Sequence, residues 1–141
     1  MARPPFSIEP DQVMTSARFP LLAGAVAGAI AVVLGAFGAH ALRGVLDERA
    51  LATWHTAVEY QFWHALALLA VGVLARATST RAASIAALAF VAGIVLFCGS
   101  LYMLALGSPH IVGAITPLGG VALIAGWIAL AVHALRDVAT Q

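Results

Sequence analysis

FPLLAGAVAGAIAVVLGAFGAHAL, residues 19–42, contains no Asp, Glu, Lys or Arg. A helix of that length rises about 36 Å, enough to cross a hydrocarbon core of about 30 Å. Ala39-His40-Ala41 resembles a signal-peptidase site. The apolar run is nevertheless longer than the roughly 7–15 residues of a signal-peptide core, so it reads as a retained span. Gly24, Gly28, Ala31, Gly35 and Gly38 fall four, three, four and three residues apart. That spacing lines them along one side of the helix, and Gly24 to Gly28 is a G-x-x-x-G pair. Lipid tails are as apolar as leucine, so membrane helices associate by close packing of such small residues. A second helix is expected against this seam.

The remaining sequence repeats the theme. Of 141 residues 62% are hydrophobic and 9% charged, against about 25% charged in ordinary soluble domains. The mean hydropathy is +1.00. A bilayer is the natural solvent for such a chain. A net charge of +1 leaves no footprint for nucleic acid. The single cysteine, Cys98, lies in an apolar stretch and reads as a small packing residue.

Four spans are expected, at about residues 19–42, 54–75, 82–106 and 111–135. The fold class is therefore all-α, an integral membrane four-helix bundle. Residues 1–18 hold three of the six prolines and form a polar tail that should be irregular; the membrane domain covers 19–136, and 137–141 is a short carboxyl tail. Asp47 is placed to N-cap the second helix, with Leu46 and Leu51 as a hydrophobic staple. From there to Ala75 the helix is more than about 40 Å long, so Trp54 should fall at the membrane interface. Gly107 suits the position just past the third helix, and Pro109 forbids its continuation. In the fourth span Pro117 should kink the helix or locally loosen its ladder, with Thr116, Ser100 and Tyr102 available to satisfy freed carbonyls. Gly113, Gly119, Gly120 and Gly126 supply further small packing positions.

All seven basic residues are arginine. Arg3, Arg18, Arg76, Arg81 and Arg136 fall on the tails and the second loop, whereas only Arg43 and Arg49 fall on the first and third loops. The bias predicts both ends in the cytoplasm, an N-in/C-in topology, or in the matrix for a mitochondrion.

Ionisable side chains inside a membrane are costly and mark function or pairing. The second span carries His55, Glu59, Tyr60, Gln61 and His64 within ten residues. His55 and Glu59 are neighbours at i and i+4, as are Tyr60 and His64, while His55 and His64 point in opposite directions. This helix is polar on two sides, and neither suits lipid. The topology places His40, His55, Glu59, Tyr102 and His110 near one level on the non-cytoplasmic side. Three readings follow. Glu59 is buried and paired with a His or with Arg43; or His55, Glu59 and His110 bind a metal; or the layer handles protons, a quinone or a haem. No H-x-x-H or H-E-x-x-H motif is present, and only His64 lies near mid-membrane, which disfavours bis-His haem. His133 is expected at the cytoplasmic interface.

Gly35-Ala-Phe-Gly-Ala-His-Ala-Leu42, Trp54-His-Thr-Ala-Val-Glu-Tyr60 with His64, Phe97-Cys-Gly-Ser-Leu-Tyr102, Ile115-Thr-Pro-Leu-Gly-Gly120 and Gly126-Trp127 occur in that order. Together they resemble the small membrane proteins of domain of unknown function 423, whose eukaryotic counterpart is called transmembrane protein 256. The resemblance covers about residues 20–136. It implies a four-span, multi-pass protein of the bacterial or mitochondrial inner membrane and implies no activity. Residues 1–18 lie outside the pattern, which points to a partner for that tail.

The leading expectation is a non-catalytic accessory or assembly subunit of a larger inner-membrane complex, respiratory or photosynthetic, with a protein partner or a second copy and no cofactor. The alternatives are a small metal-, quinone- or haem-binding redox protein, and a proton or small-solute carrier built on Glu59 and the Pro117 kink.

Overall fold

The computed structural model describes the backbone of residues 10–138 and the side chains of residues 17–135. Within it every regular element is a helix: α1 Pro10–His40, α2 Glu48–Ala77, α3 Arg81–Gly93, a π turn Ile94–Cys98, α4 Gly99–Ala105, a 3-10 turn His110–Ala114 and α5 Thr116–Val138. α3, the π turn and α4 form one continuous rod, the third span. The result is four helices long and apolar enough to cross a membrane: Ala17–His40, Glu48–Ala77, Arg81–Ala105 and His110–Leu135.

Local chemistry sets the ends of these rods. Asp47 caps α2, its carboxylate accepting from the Ala50 amide at 2.8 Å. Thr80 caps α3 in the same way, accepting from the Ala83 amide at 3.1 Å. α4 closes with a Schellman turn: the Gly107 amide donates to the Leu104 carbonyl at 3.1 Å and the Ser108 amide to the Met103 carbonyl at 3.0 Å. Gly107 has φ +88°, a value open to glycine and strained for other residues.

Two expectations about helix limits are corrected. α1 begins at Pro10 rather than Phe19, so residues 10–18 are helical and not an irregular tail; proline is tolerated at the first helical position, where its missing amide hydrogen has no intrahelical role. Residues 1–9, with Arg3, and residues 139–141 lie outside the described residues. Pro117 does not kink a continuous fourth helix. A 3-10 turn precedes it, and it sits in the first turn of α5, where a missing donor breaks no ladder bond. Pro20, by contrast, lies inside α1 and is fully buried.

α2 occupies the centre. α1 lies along one side of it, the third span along another, and α5 packs on the third span. The α1–α2 contact uses the glycine seam. A Cβ on Gly24 would come within 2.8 Å of the Ala65 carbonyl oxygen, and one on Gly38 within 2.7 Å of the Trp54 ring. Gly35 faces Val58 and Gly28 faces Ala65, while Ala31 of the same row is buried. From the other side Gly72 of α2 receives Leu21. The third and fourth spans close similarly. Gly93 receives Leu123, Gly126 receives Phe90, and Gly119 lies against the backbone of Phe97 in the π turn. Gly120 is looser, a Cβ there lying 3.8 Å from the Phe97 ring, and Gly113 faces Leu104. Cys98 is buried within the π turn.

The close approach at Gly119 has a measurable consequence. Phe97 presents backbone there, which cannot swing aside. Gly119→Leu is expected to lower stability in detergent by about 1–3 kcal/mol, the usual range for overpacking. At Gly99 an added Cβ would have nothing within 4 Å, so Gly99→Ala should be neutral or stabilising by up to about 1 kcal/mol. Thermal unfolding followed by circular dichroism separates the two; equal stability would show that the spans do not close on Gly119.

Candidate functional site

α2 presents two polar faces, and the structure treats them differently. On the inner face Gln61, 4% exposed, links three spans. Its Nε2 donates to the Ala27 carbonyl on α1 at 2.9 Å, and its Oε1 accepts from the Tyr102 hydroxyl on α4 at 3.0 Å. One turn further along, His64 is buried too. Its Nδ1 lies 2.6 Å from the Tyr60 carbonyl, and the Trp127 indole of α5 donates to its Nε2 at 3.2 Å. A carbonyl can only accept and an indole N–H can only donate. The imidazole must therefore carry its hydrogen on Nδ1 and leave Nε2 bare, a neutral ring with both nitrogens engaged. Tyr60, Phe90 and Trp127 surround it, with ring centroids 6.0, 5.7 and 6.1 Å away.

Trp54, expected at interface depth near the start of the long second helix, points into the bundle. It is buried, donates from Nε1 to the Leu34 carbonyl at 2.9 Å and meets Tyr102 edge-on at 4.7 Å. Its ring fills the space left by Gly38. His133, near the end of α5, is likewise turned inward: it is 1% exposed, with Nδ1 2.9 Å from the hydroxyl of Thr80. Ser100 and Thr116 hydroxyls meet at 2.7 Å, and Ser100 also donates to the Phe97 carbonyl at 2.9 Å. Among the described residues every buried side-chain nitrogen and oxygen has a partner.

The outer-level cluster expected from the sequence does not assemble. His40, His55, Glu59 and His110 are all exposed. His110 borders a hollow with Asp47, Arg49 and Ser108, to which His40, His55 and Glu59 contribute nothing. Tyr102 turns inward to Gln61 instead. Among the described residues no three His, Cys, Asp or Glu side chains converge as a metal site. The expectation that Glu59 is buried and paired is not met among the described residues, where no element covers its helix face. Glu59 borders a shallow hollow of about 370 Å³ with Val58, Phe62 and Trp63. Tyr60 lies between the faces, 43% exposed, its ring 4.8 Å from that of Phe97.

A second, apolar feature lies beside the inner face. A groove of about 480 Å³ opens between α1 and the third span, walled by Ala27, Ile30, Val95 and Gly99 among others, with Gln61 and Tyr102 at its floor.

Residues 34–120, from the outer half of α1 into α5, match the family described as "Protein of unknown function (DUF423)". The chain belongs to the DUF423 family. The matched stretch contains Trp54, Glu59, Gln61, His64 and Tyr102 but not Trp127. Among its relatives, the UPF0382 membrane protein YwdK of Bacillus subtilis (strain 168) is 46% identical over 117 residues, covering 82% of this chain and 95% of the relative. A UPF0382 membrane protein of Staphylococcus saprophyticus is 46% identical over 116 residues, covering 82% and 96%. One from Haemophilus influenzae is 41% identical over 113 residues, covering 80% and 90%. No solved structure matches. This DUF423 chain is thus a membrane protein with four potential spans, in a family whose function is unknown.

Sequence reasoning noted Gln61 only as one polar residue among several, and it passed over Trp127 as a partner for His64. The signal for Gln61 was its offset from Glu59: two residues apart on a helix means nearly opposite faces. For Trp127 no local signal exists, since the contact joins positions 63 residues apart.

The bridge through Gln61 is testable by a double-mutant cycle. Gln61→Leu and Tyr102→Phe each remove one end of the 3.0 Å bond. Gln61→Leu should destabilise by about 1–3 kcal/mol through the unpaired groups it leaves. The coupling between the two changes should be about 0.5–2 kcal/mol. Simple additivity in detergent unfolding would show that the bond does not form.

Proposed function

We propose that this DUF423 protein is a non-catalytic accessory or assembly subunit of a larger complex in the bacterial inner membrane, with both ends in the cytoplasm. The observation that carries the reading is Glu59. It is the one acidic residue between Glu48 and Asp137, and it stands exposed on the outer face of α2. A carboxyl group facing acyl chains is costly, and a second protein surface on that face removes the cost.

The inner face supports the same reading. Gln61, His64 and Tyr102 are hydrogen-bonded to neighbouring helices, as structural connections are, and the groove that Gln61 and Tyr102 border is otherwise apolar. The relatives named as membrane proteins come from bacteria, and the arginine bias around the loops favours cytoplasmic ends.

Affinity purification from native membranes in a mild detergent tests the proposal. The protein is expected to travel in an assembly well above its own 14.5 kDa, and reporters fused to either end are expected to read as cytoplasmic. A homogeneous monomer, with no companion chain of any kind, would overturn it.

A further inference from the structure

We infer that the groove between α1 and the third span binds an uncharged, lipid-soluble molecule that carries a hydroxyl group, an alcohol or phenol on an apolar body. This goes beyond the accessory-subunit reading and does not rest on it.

The walls give the space. The groove holds about 480 Å³, within the roughly 300–1,000 Å³ of small-molecule sites. Val26 and Ile30 of α1 stand on one side, Ile94 and Val95 of the third span on the other. The third span leaves α geometry at this wall: Ile94 and Val95 belong to the π turn, and Gly99 follows it. π turns within helices recur at functional sites. Gly99 lines the groove, and a Cβ on it would meet nothing within 4 Å. Gly24, Gly93 and Gly119 each receive a neighbouring helix, whereas the small size of Gly99 leaves the groove open.

The floor gives the chemistry. A primary amide has two N–H donors and two acceptor positions; a phenol has one donor and two acceptor positions. Gln61 uses one N–H on the Ala27 carbonyl and one acceptor position on Tyr102. Tyr102 uses its only hydrogen in that same bond. One N–H of Gln61, one lone pair of its oxygen and the lone pairs of the Tyr102 oxygen are left over. Both residues border the groove. A hydroxyl matches this remainder, because it accepts from the amide and donates to either oxygen. A carbonyl or an ether could only accept.

Depth decides which molecules can deliver that hydroxyl. Gln61 lies about 20 Å along α2 from Glu48 and about 24 Å from Ala77, near the middle of a hydrocarbon core of about 30 Å. Phospholipid oxygens stay in the headgroup layer outside that core. Acyl chains can therefore cover the walls but offer the floor no partner. A charged head at this depth is costly. The occupant is neutral as a whole and takes its oxygen into the membrane interior.

Photolabelling of the full chain in proteoliposomes tests this. The probes are diazirine-bearing farnesol, its methyl ether and its phosphate, which share one apolar body and differ in the head. The alcohol is expected to label residues 23–34 and 91–102 saturably, with unlabelled farnesol competing. The ether and the phosphate are expected to label the same stretches at least about 3-fold less, the size of one interhelical hydrogen bond. Tyr102→Phe, which keeps the ring against Trp54, is expected to weaken the apparent affinity for the alcohol about 3–20-fold. Gly99→Leu puts a side chain where nothing packs; it is expected to abolish saturable labelling while thermal unfolding stays close to that of the unaltered protein. Labelling that does not saturate, that is equal for the three heads, or that is unchanged in Gly99→Leu or in Tyr102→Phe would overturn the inference and leave the accessory-subunit reading standing.

Discussion

One side chain holds the centre of this molecule. Gln61 donates to a carbonyl of α1 and accepts from a hydroxyl of α4, so that α2 is fastened on both sides by a single amide. In water such bonds exchange with solvent at little net gain. In a bilayer the alternative partner is absent, and a buried amide must be satisfied by neighbouring helices. The glycine and alanine positions bring the helices close enough for this to happen. Gly24, Gly28 and Gly35 let α1 lie on α2, which puts the Ala27 carbonyl within reach. The order of causes runs from small residues to close helices to short hydrogen bonds.

His64 adds the fourth span to the same layer, through Trp127. Apolar clusters lie on either side of it. One gathers Leu68, Val71, Phe90 and Leu123, the other Leu42, Trp54 and Ala105. The polar layer thus lies between two apolar clusters, with Gln61 and Tyr102 bordering the groove, and its hydrogen bonds close within the protein. That closure is what separates the inner face from the outer one. Both faces carry polar side chains, but only the inner one has neighbours to receive them, and the contrast between a satisfied Gln61 and an open Glu59 two residues away is the basis of the functional reading.

Much of the fold is legible in the sequence because it depends on local or periodic features. The apolar lengths give four spans, Asp47 gives a cap, and Gly107 with Pro109 gives a stop. The two-sided polarity of the second span is also visible, since it follows from helix geometry alone. Less legible is anything that requires knowing which helices meet. The position of Trp54 near the start of a long helix suggests its depth but not that Gly38 offers it a pocket on α1. The place of His133 near the end of the fourth span suggests its depth but not that Thr80 from the second loop reaches it. Pro117 reads as a kink because the 3-10 turn before it has no distinct signature. A common level is expected for His40, His55, Glu59 and His110, but all four are exposed and do not gather into one site, because a one-dimensional sequence does not report which side of the bundle a residue takes.

The claim that the inner polar layer is satisfied wholly within the protein is tested most directly by the protonation of the His64 ring. Nitrogen-15 NMR of histidine-labelled protein in lipid bilayers, with His64 identified by its loss in His64→Phe, reports which ring nitrogen carries hydrogen. The hydrogen bonds from Trp127 and to Tyr60 require a neutral ring with its hydrogen on Nδ1. A ring protonated on both nitrogens, or one carrying its hydrogen on Nε2, would contradict the account.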